Sequence, residues 1–165
     1  MVIVLEFTPE MSTTPTLVGR NIPIPGVAMS QEFGKKVILS SEAGVLVVSS
    51  GAGLINVYRF DGTFWLDVLE TDAFETNEFA LITYPAGFSI AFVYRADSLG
   101  FVRIMRFENN RWVTPEEDLG GFPLGSGSLN LASSGIGETL AIGTPGRMVD
   151  GLVDAGSIQI LRQSQ

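Results

Sequence analysis

Hydrophobic residues occur along this chain in short bursts that Gly, Pro, Asp, Asn and Ser separate. Each burst is about as long as a β-strand, and none keeps a 3.6-residue period over the ~10 residues that a helix needs. Nineteen glycines and eight prolines supply the turns between the bursts. The pattern therefore predicts an all-β protein, with strands at bursts such as VIVLEF, KKVILS, GVLVVSS, INVYRF, FALITY, FSIAFVY, FVRIMRF, TLAIG and SIQIL.

Several of these bursts are apolar on both faces of the predicted strand. In LINVYRF, Ile55 and Val57 alternate with Tyr58 and Phe60, so apolar side chains point to either side. A sheet with one solvated face alternates apolar and polar residues instead. The pattern therefore predicts sheets that are packed on both sides, as in propeller blades of about 40–50 residues that stack face to face.

One phrase is written twice, as VYRFDGTFW at 57–65 and as IMRFENNRW at 104–112. Each copy has Arg-Phe, a turn and a Trp. The turn pairs, Asp61-Gly62 and Asn109-Asn110, are residue types that accept the positive φ of a tight hairpin. Each copy is therefore predicted to be strand, turn, strand, and the repetition indicates a repeated architecture.

Comparison of the copies extends the repeat to three units of a single 165-residue domain, at about 33–70, 77–117 and 124–163. The stretch FGKKVILSSEAGVLVVSSGAG of the first unit aligns with LGSGSLNLASSGIGETLAIGTPG of the third. AGSIQILRQ then falls where LINVYRF fell, so that Arg162 takes the place of Arg59 and Arg106. These arginines share a phase at strand ends and are predicted to pair with acids of the next unit.

A characteristic order of short phrases runs through the units. They are Phe33-Gly34, Val37 to Ser40, Leu46 to Val48, Val57-Tyr58, and Leu140 to Ile142 followed by Gly143-Thr144-Pro145. In this order they resemble the FG-GAP type of β-propeller repeat, whose strands end in Gly-Ala-Pro and continue to a Val-Tyr strand and a Trp strand. The resemblance implies a propeller-like fold with about three blades per chain.

The third unit shows no Trp strand after Arg162, whereas TLVGRNIPIPG at 16–26 resembles such a strand without its Trp. Residues 16–24 are therefore predicted to complete the last blade, from the same chain or from another one. Three blades are fewer than the usual minimum of about four. Either two chains share a six-bladed ring, or the three sheets pack as a smaller prism-like or sandwich-like body. Both alternatives favour self-association or a larger protein assembly.

Composition excludes several classes of function. Ten Lys and Arg against eighteen Asp and Glu give a net charge of −8, which disfavours binding to nucleic acid or to an anionic membrane. The chain has no His and no Cys, so Ser-His-Asp and Cys-His catalysis and zinc sites built on those residues are ruled out. No secretory signal and no membrane insertion are predicted, because the start lacks a basic region and no apolar run is long enough.

Four residues are candidates for ligand binding. Trp65 and Trp112 are able to stack on sugar rings, although aromatic residues at repeated positions are more often packing residues. Asp150 and Asp154 follow the Gly-Thr-Pro phrase, at the place where many FG-GAP repeats hold calcium on acidic loops. Two acids are a weak match to that pattern, so no cofactor is predicted and calcium stays open.

The sequence thus predicts a non-catalytic structural or interaction module. Its expected setting is a virus particle or an extracellular surface, where it serves assembly or adhesion, although the absence of cysteine leaves the compartment undetermined. A carbohydrate-binding propeller lectin that uses the two tryptophans is the alternative. A glycosidase built on two facing carboxylates is a weaker alternative, because eighteen acids supply pairs by number alone.

Overall fold

The computed structural model describes residues 5–6, 16–17, 33–40, 44–49, 54–68, 76, 78–84, 87–96, 99–113, 119–123, 129–134 and 139–162. Every regular element in these ranges is a β-strand, and every strand pair is antiparallel, which confirms the predicted all-β class. The strands are β1 (Leu5–Glu6), β2 (Thr16–Leu17), β3 (Lys36–Leu39), β4 (Val45–Ser49), β5 (Ile55–Phe60), β6 (Trp65–Asp67), β7 (Phe79–Tyr84), β8 (Gly87–Ala96), β9 (Leu99–Glu108), β10 (Arg111–Val113), β11 (Leu119–Pro123), β12 (Asn130–Ser133), β13 (Thr139–Thr144) and β14 (Ser157–Arg162).

The chain divides into two compact units, Met1–Glu75 and Thr76–Gln165. The first contains the pair β1-β2 and a four-stranded sheet in the order β3-β4-β5-β6, here called the first sheet. The second contains the second sheet, in the order β10-β9-β8-β7 with β11 also paired to β9, and the third sheet, in the order β12-β13-β14. Each predicted repeat unit therefore contains one meander of strands that pair in chain order.

The first sheet is buried on both faces at its centre, as the apolar pattern predicts. All five residues of β4 are buried. Leu46, Val48 and Tyr58 form one cluster with Phe33 and Trp65 packed against it. On the other face, the residues of β4 and β5 are also buried except Arg59 at the strand end: Val45, Val47, Ser49, Ile55 and Val57.

The two copies of the repeated phrase form hairpins with the same pairing. Phe60 lies opposite Trp65 in the first, and Phe107 lies opposite Trp112 in the second. Asn109 and Asn110 have φ values of 51° and 59°, as predicted for a two-residue turn with positive φ at both positions.

The first hairpin differs from this prediction in its turn. Gly62 has a φ of 101°, but Asp61 does not have positive φ. Instead, the backbone N–H groups of Thr63 and Phe64 donate to Oδ1 of Asp61 at 2.8 and 2.7 Å. These bonds lower the pKa of the Asp61 carboxyl, the bond from Phe64 more strongly. The side chain thus closes a four-residue loop.

The second sheet is built on the long hairpin of β8 and β9, ten residues each. The outer edge of β9 is shared, because β10 pairs with 106–108 and β11 pairs with 99–102. The β11 pairing shifts register between Gly120 and Phe122, and Gly121 between them has a φ of 79°. A glycine with positive φ is what a bulge of this kind requires.

Gly120 lies directly opposite Phe101 in this pairing, and the phenyl ring occupies the space of a side chain at position 120. A Cβ atom at position 120 would lie 2.0 Å from Cδ1 of Phe101. The ring is held in turn by stacking on Tyr94, with centroids 5.3 Å apart. The glycine is therefore required by packing.

We expect Gly120→Ala to lower the free energy of unfolding of the second unit by about 1 to 3 kcal/mol, because the added methyl group must displace the Phe101 ring. Denaturant unfolding followed by hydrogen exchange on 99–123 measures the loss. Gly143→Ala is the matched control, since a Cβ there meets only ordinary contacts at 3.8 Å and beyond. Equal losses in the two variants would show that Phe101 does not restrict position 120.

The third sheet packs on the second through one shared core. β12 lies against β7 and β8, and Oγ of Ser133 donates a hydrogen bond to the carbonyl oxygen of Leu81. The core that joins the two sheets consists of Ala80, Ile82, Ala91, Val93, Val102, Phe122, Leu129, Leu140 and Ile142. This core fixes which face of the third sheet is turned inward.

The propeller interpretation goes beyond what the structure shows, because the described strands form separate antiparallel sheets in which no closed barrel or propeller is found. β2 pairs with β1, Leu17 lying opposite Leu5. Residues 18–24 lie outside the described residues, so completion of the last blade by 16–24 stays a prediction. Among the residues that the structure describes, no helix has the length and apolar character needed to cross a membrane.

Candidate interaction surface

Trp65 is a half-buried residue of the first sheet. Its indole ring lies 5.1 Å from the Phe60 ring, at an interplanar angle of 35°, and it packs against the cluster of Leu46, Val48 and Tyr58. Because its ring contacts a neighbouring ring and a core cluster, Trp65 is a packing residue. Sugar binding by Trp65 stays a prediction.

Trp112 has the same position in the second sheet and a denser aromatic environment. Its ring centroid lies 5.1 Å from that of Phe107 and 5.7 Å from that of Phe88, edge-on to the latter. Phe88 and Phe107 stack on each other at 5.0 Å. Trp65 lies in the first unit and Trp112 in the second, so each unit contains one tryptophan.

Asp150 and Asp154 both lie in the loop that connects β13 and β14. Both have positive φ, at 52° and 55°, and both are exposed. Val149 and Leu152 exchange two backbone hydrogen bonds around Asp150 and Gly151, which identifies a tight turn. No group of three or more Asp or Glu residues suited to a metal ion occurs in the described ranges. A calcium site at Asp150 and Asp154 stays a prediction.

The arginines at equivalent positions of the three repeat units are all exposed: Arg59, Arg106 and Arg162. Their position at the surface agrees with the common phase predicted from the repeat. Pairing between blades stays a prediction.

The third sheet exposes apolar side chains on one face. Ile158 and Ile160 of β14 are 75% and 63% exposed, and they lie opposite Gly143 and Ala141 of β13. Together with Ala132, the residue opposite Ala141 in β12, they form a surface that we call the outer face. Large side chains beside such small neighbours stand clear of the sheet, which accounts for the exposure of the two isoleucines.

The loop between β13 and β14 adds further exposed apolar residues. Met148, Leu152 and Val153 are 59%, 66% and 72% exposed. The loop begins beyond the pair of Thr144 and Ser157 that closes the two strands. Among the described residues, the five large apolar side chains that are more than half exposed therefore all lie in this loop and in β14.

The opposite face of β14 is turned toward β11. Between the two strands lies an open cleft of about 250 Å³, lined by Leu119, Gly120, Gly121, Phe122, Arg147, Gln159 and Leu161. Gln159 and Leu161 are half-buried there. Because one face of β14 lines this cleft, the isoleucines of the alternate positions necessarily point outward.

The outer face was not among the predicted sites. The alternation of SIQILR identifies a strand with two unlike faces. Each face carries at least one apolar residue, so the sequence does not show which face is buried. The one sequence signal was that no Trp strand is recognised after Arg162, which points to the edge of β14 but not to the exposed isoleucines.

Comparison with known proteins adds no further assignment: no family model, no curated protein and no solved structure matches this chain.

Proposed function

We propose that this chain is a non-catalytic structural module that works by binding protein surfaces, as a subunit of an assembly or as an adhesion protein. The observation that carries the proposal is the outer face, with two isoleucines more than three-fifths exposed on adjacent outward positions of one strand. Apolar side chains grouped on an exposed surface are typical of interaction sites. The location of this module in a virus particle or at an extracellular surface stays a prediction from the sequence.

The proposed architecture is propeller-like, with one meander for each blade. Two of the three meanders have four strands in chain order, the composition of a propeller blade. The third has three described strands and an outward apolar face. A third meander with three described strands supports a module in which a further strand completes the last blade by association.

The experiment that tests the proposal is a glycan array combined with tryptophan fluorescence. We expect no glycan to be retained and the indole emission to be unchanged by sugars, because both indoles are engaged with phenylalanine rings. Phe64→Ala is the matched control for loss of an aromatic residue, since Phe64 is 40% exposed. Binding of a glycan that Trp65→Ala or Trp112→Ala abolishes, and that Phe64→Ala retains, would replace the proposal with the lectin.

A further inference from the structure

The edge of β14 is where the other two meanders carry a further strand. In the first sheet the third strand, β5, pairs with β6, and in the second sheet β9 pairs with β10. β14 is the third strand of its meander, and among the described strands it pairs with β13 alone. The edge of β14 is therefore equivalent to the edges of β5 and β9, on which β6 and β10 pair as antiparallel strands.

This edge carries few of the features that protect natural edge strands from pairing. Its pairing with β13 runs in unbroken register from Ser157 to Arg162, without a bulge. The strand has no proline and no lysine, and its one charge, Arg162, is at its end. Regular, uncharged and apolar edges are the ones that associate with another strand.

We propose that the strand that pairs with this edge is β14 of a second copy of this chain, antiparallel to the first and related to it by a two-fold axis at Gln159. This inference rests on the proposed function. Residues opposite each other in an antiparallel pair point to the same face. With Gln159 on the axis, Ile158 of each copy lies opposite the isoleucine two positions further along in the other copy. The four isoleucines then form one continuous apolar strip on the outer faces.

Self-pairing is favoured over a different protein by two properties of this strand. Its alternation is self-complementary, because the two-fold places isoleucine against isoleucine on the outer side and glutamine against glutamine on the inner side. The contact is also nearly uncharged, so the net charge of −8 on each copy imposes little repulsion at the strand itself. The outcome is a continuous six-stranded sheet built from two third sheets.

The test is the oligomeric state of the full chain, measured by sedimentation velocity from about 1 to about 100 µM, since a single strand pair is a small contact of modest affinity. We expect a monomer–dimer equilibrium in this range. Ile160→Lys removes both cross-strand isoleucine pairs of the dimer and places on each edge a lysine, the residue type that protects natural edge strands, so it is expected to raise the dissociation constant at least about tenfold. Val113→Lys, on the 49% exposed edge residue of β10, is the matched control and is expected to dimerise like the wild type.

Hydrogen exchange of the wild type supplies a second readout that needs no variant. We expect exchange of 157–162 to slow as the protein concentration rises, while exchange of 119–123 stays constant. A wild type that is monomeric at about 100 µM would overturn the inference. If the amides of 157–162 are then protected from exchange at every concentration, the result means that a strand of the same chain occupies the edge. A dimer that Ile160→Lys leaves intact would also overturn it. These results leave the proposed function standing, whereas specific glycan binding removes the proposed function whatever the oligomeric state.

Discussion

Ile142→Ala is expected to lower the free energy of unfolding of the second unit by about 2 to 5 kcal/mol. Ile142 is completely buried in the middle of β13, within the core that joins the second and third sheets. Truncation removes three buried carbon atoms and leaves a cavity that two packed sheets fill only in part. Because the core is shared, the loss is expected to weaken the packing of both sheets together.

Denaturant unfolding in a Trp65→Phe background measures this loss, since Trp112 is then the sole tryptophan and reports on the second unit. Leu152→Ala is the matched control, because it removes the same number of carbon atoms from a side chain that is 66% exposed. We expect the control to change the free energy of unfolding by less than about 0.5 kcal/mol. Comparable losses in both variants would contradict the placement of Ile142 in the core.

The first unit is expected to lose on the order of 2 kcal/mol of stability as the pH rises from 10 to 12, through the single side chain of Tyr58. Burial, and to a smaller extent the Asp67 carboxylate opposite it in register, raises the pKa of Tyr58 to about 12 from 10.0. The unfolded chain therefore loses this proton near pH 10 while the folded chain keeps it. The stabilisation is complete below pH 10 and is lost as the pH approaches 12.

The measurement is the pH dependence of unfolding in a Trp112→Phe background, where Trp65 reports on the first unit. Tyr58→Phe removes the titrating group and is expected to flatten the curve between pH 10 and 12. It is also expected to keep stability at pH 7 equal or higher, because the buried Tyr58 hydroxyl has no hydrogen-bond partner in the described part of the chain. A Tyr58→Phe variant with the same slope as its parent would place the titration elsewhere.

Local chemistry was sufficient to predict the strands and one turn from the sequence. The bursts INVYRF, FALITY and TLAIG coincide with β5, β7 and with most of β13. Asn109 and Asn110 form the predicted turn because their side chains tolerate positive φ better than others. Backbone preferences and side-chain periodicity act within a few residues, so they are readable without a fold.

Strand β11 shows where this local reasoning fails. Its sequence, LGGFP, has two glycines and a proline and does not resemble a strand. It pairs with β9 because the edge beyond β10 is available and because Phe101 packs over Gly120. Such a pairing skips the strand next to it in the chain, and only the assembled sheet shows it.

The same distinction applies to the candidate sites. The repeated phrase correctly placed Trp65 and Trp112 at equivalent hairpin positions, each opposite a phenylalanine. It gives no information on the outer face, whose residues the sequence predicts only as part of a strand. The sequence by itself determined the all-β class, the three meanders' strands and the Asn109-Asn110 turn, because these depend on neighbouring residues. Only the tertiary structure decided that Leu161 faces the cleft and Ile160 faces outward, since alternation separates two faces of a strand and packing against distant strands selects which is buried.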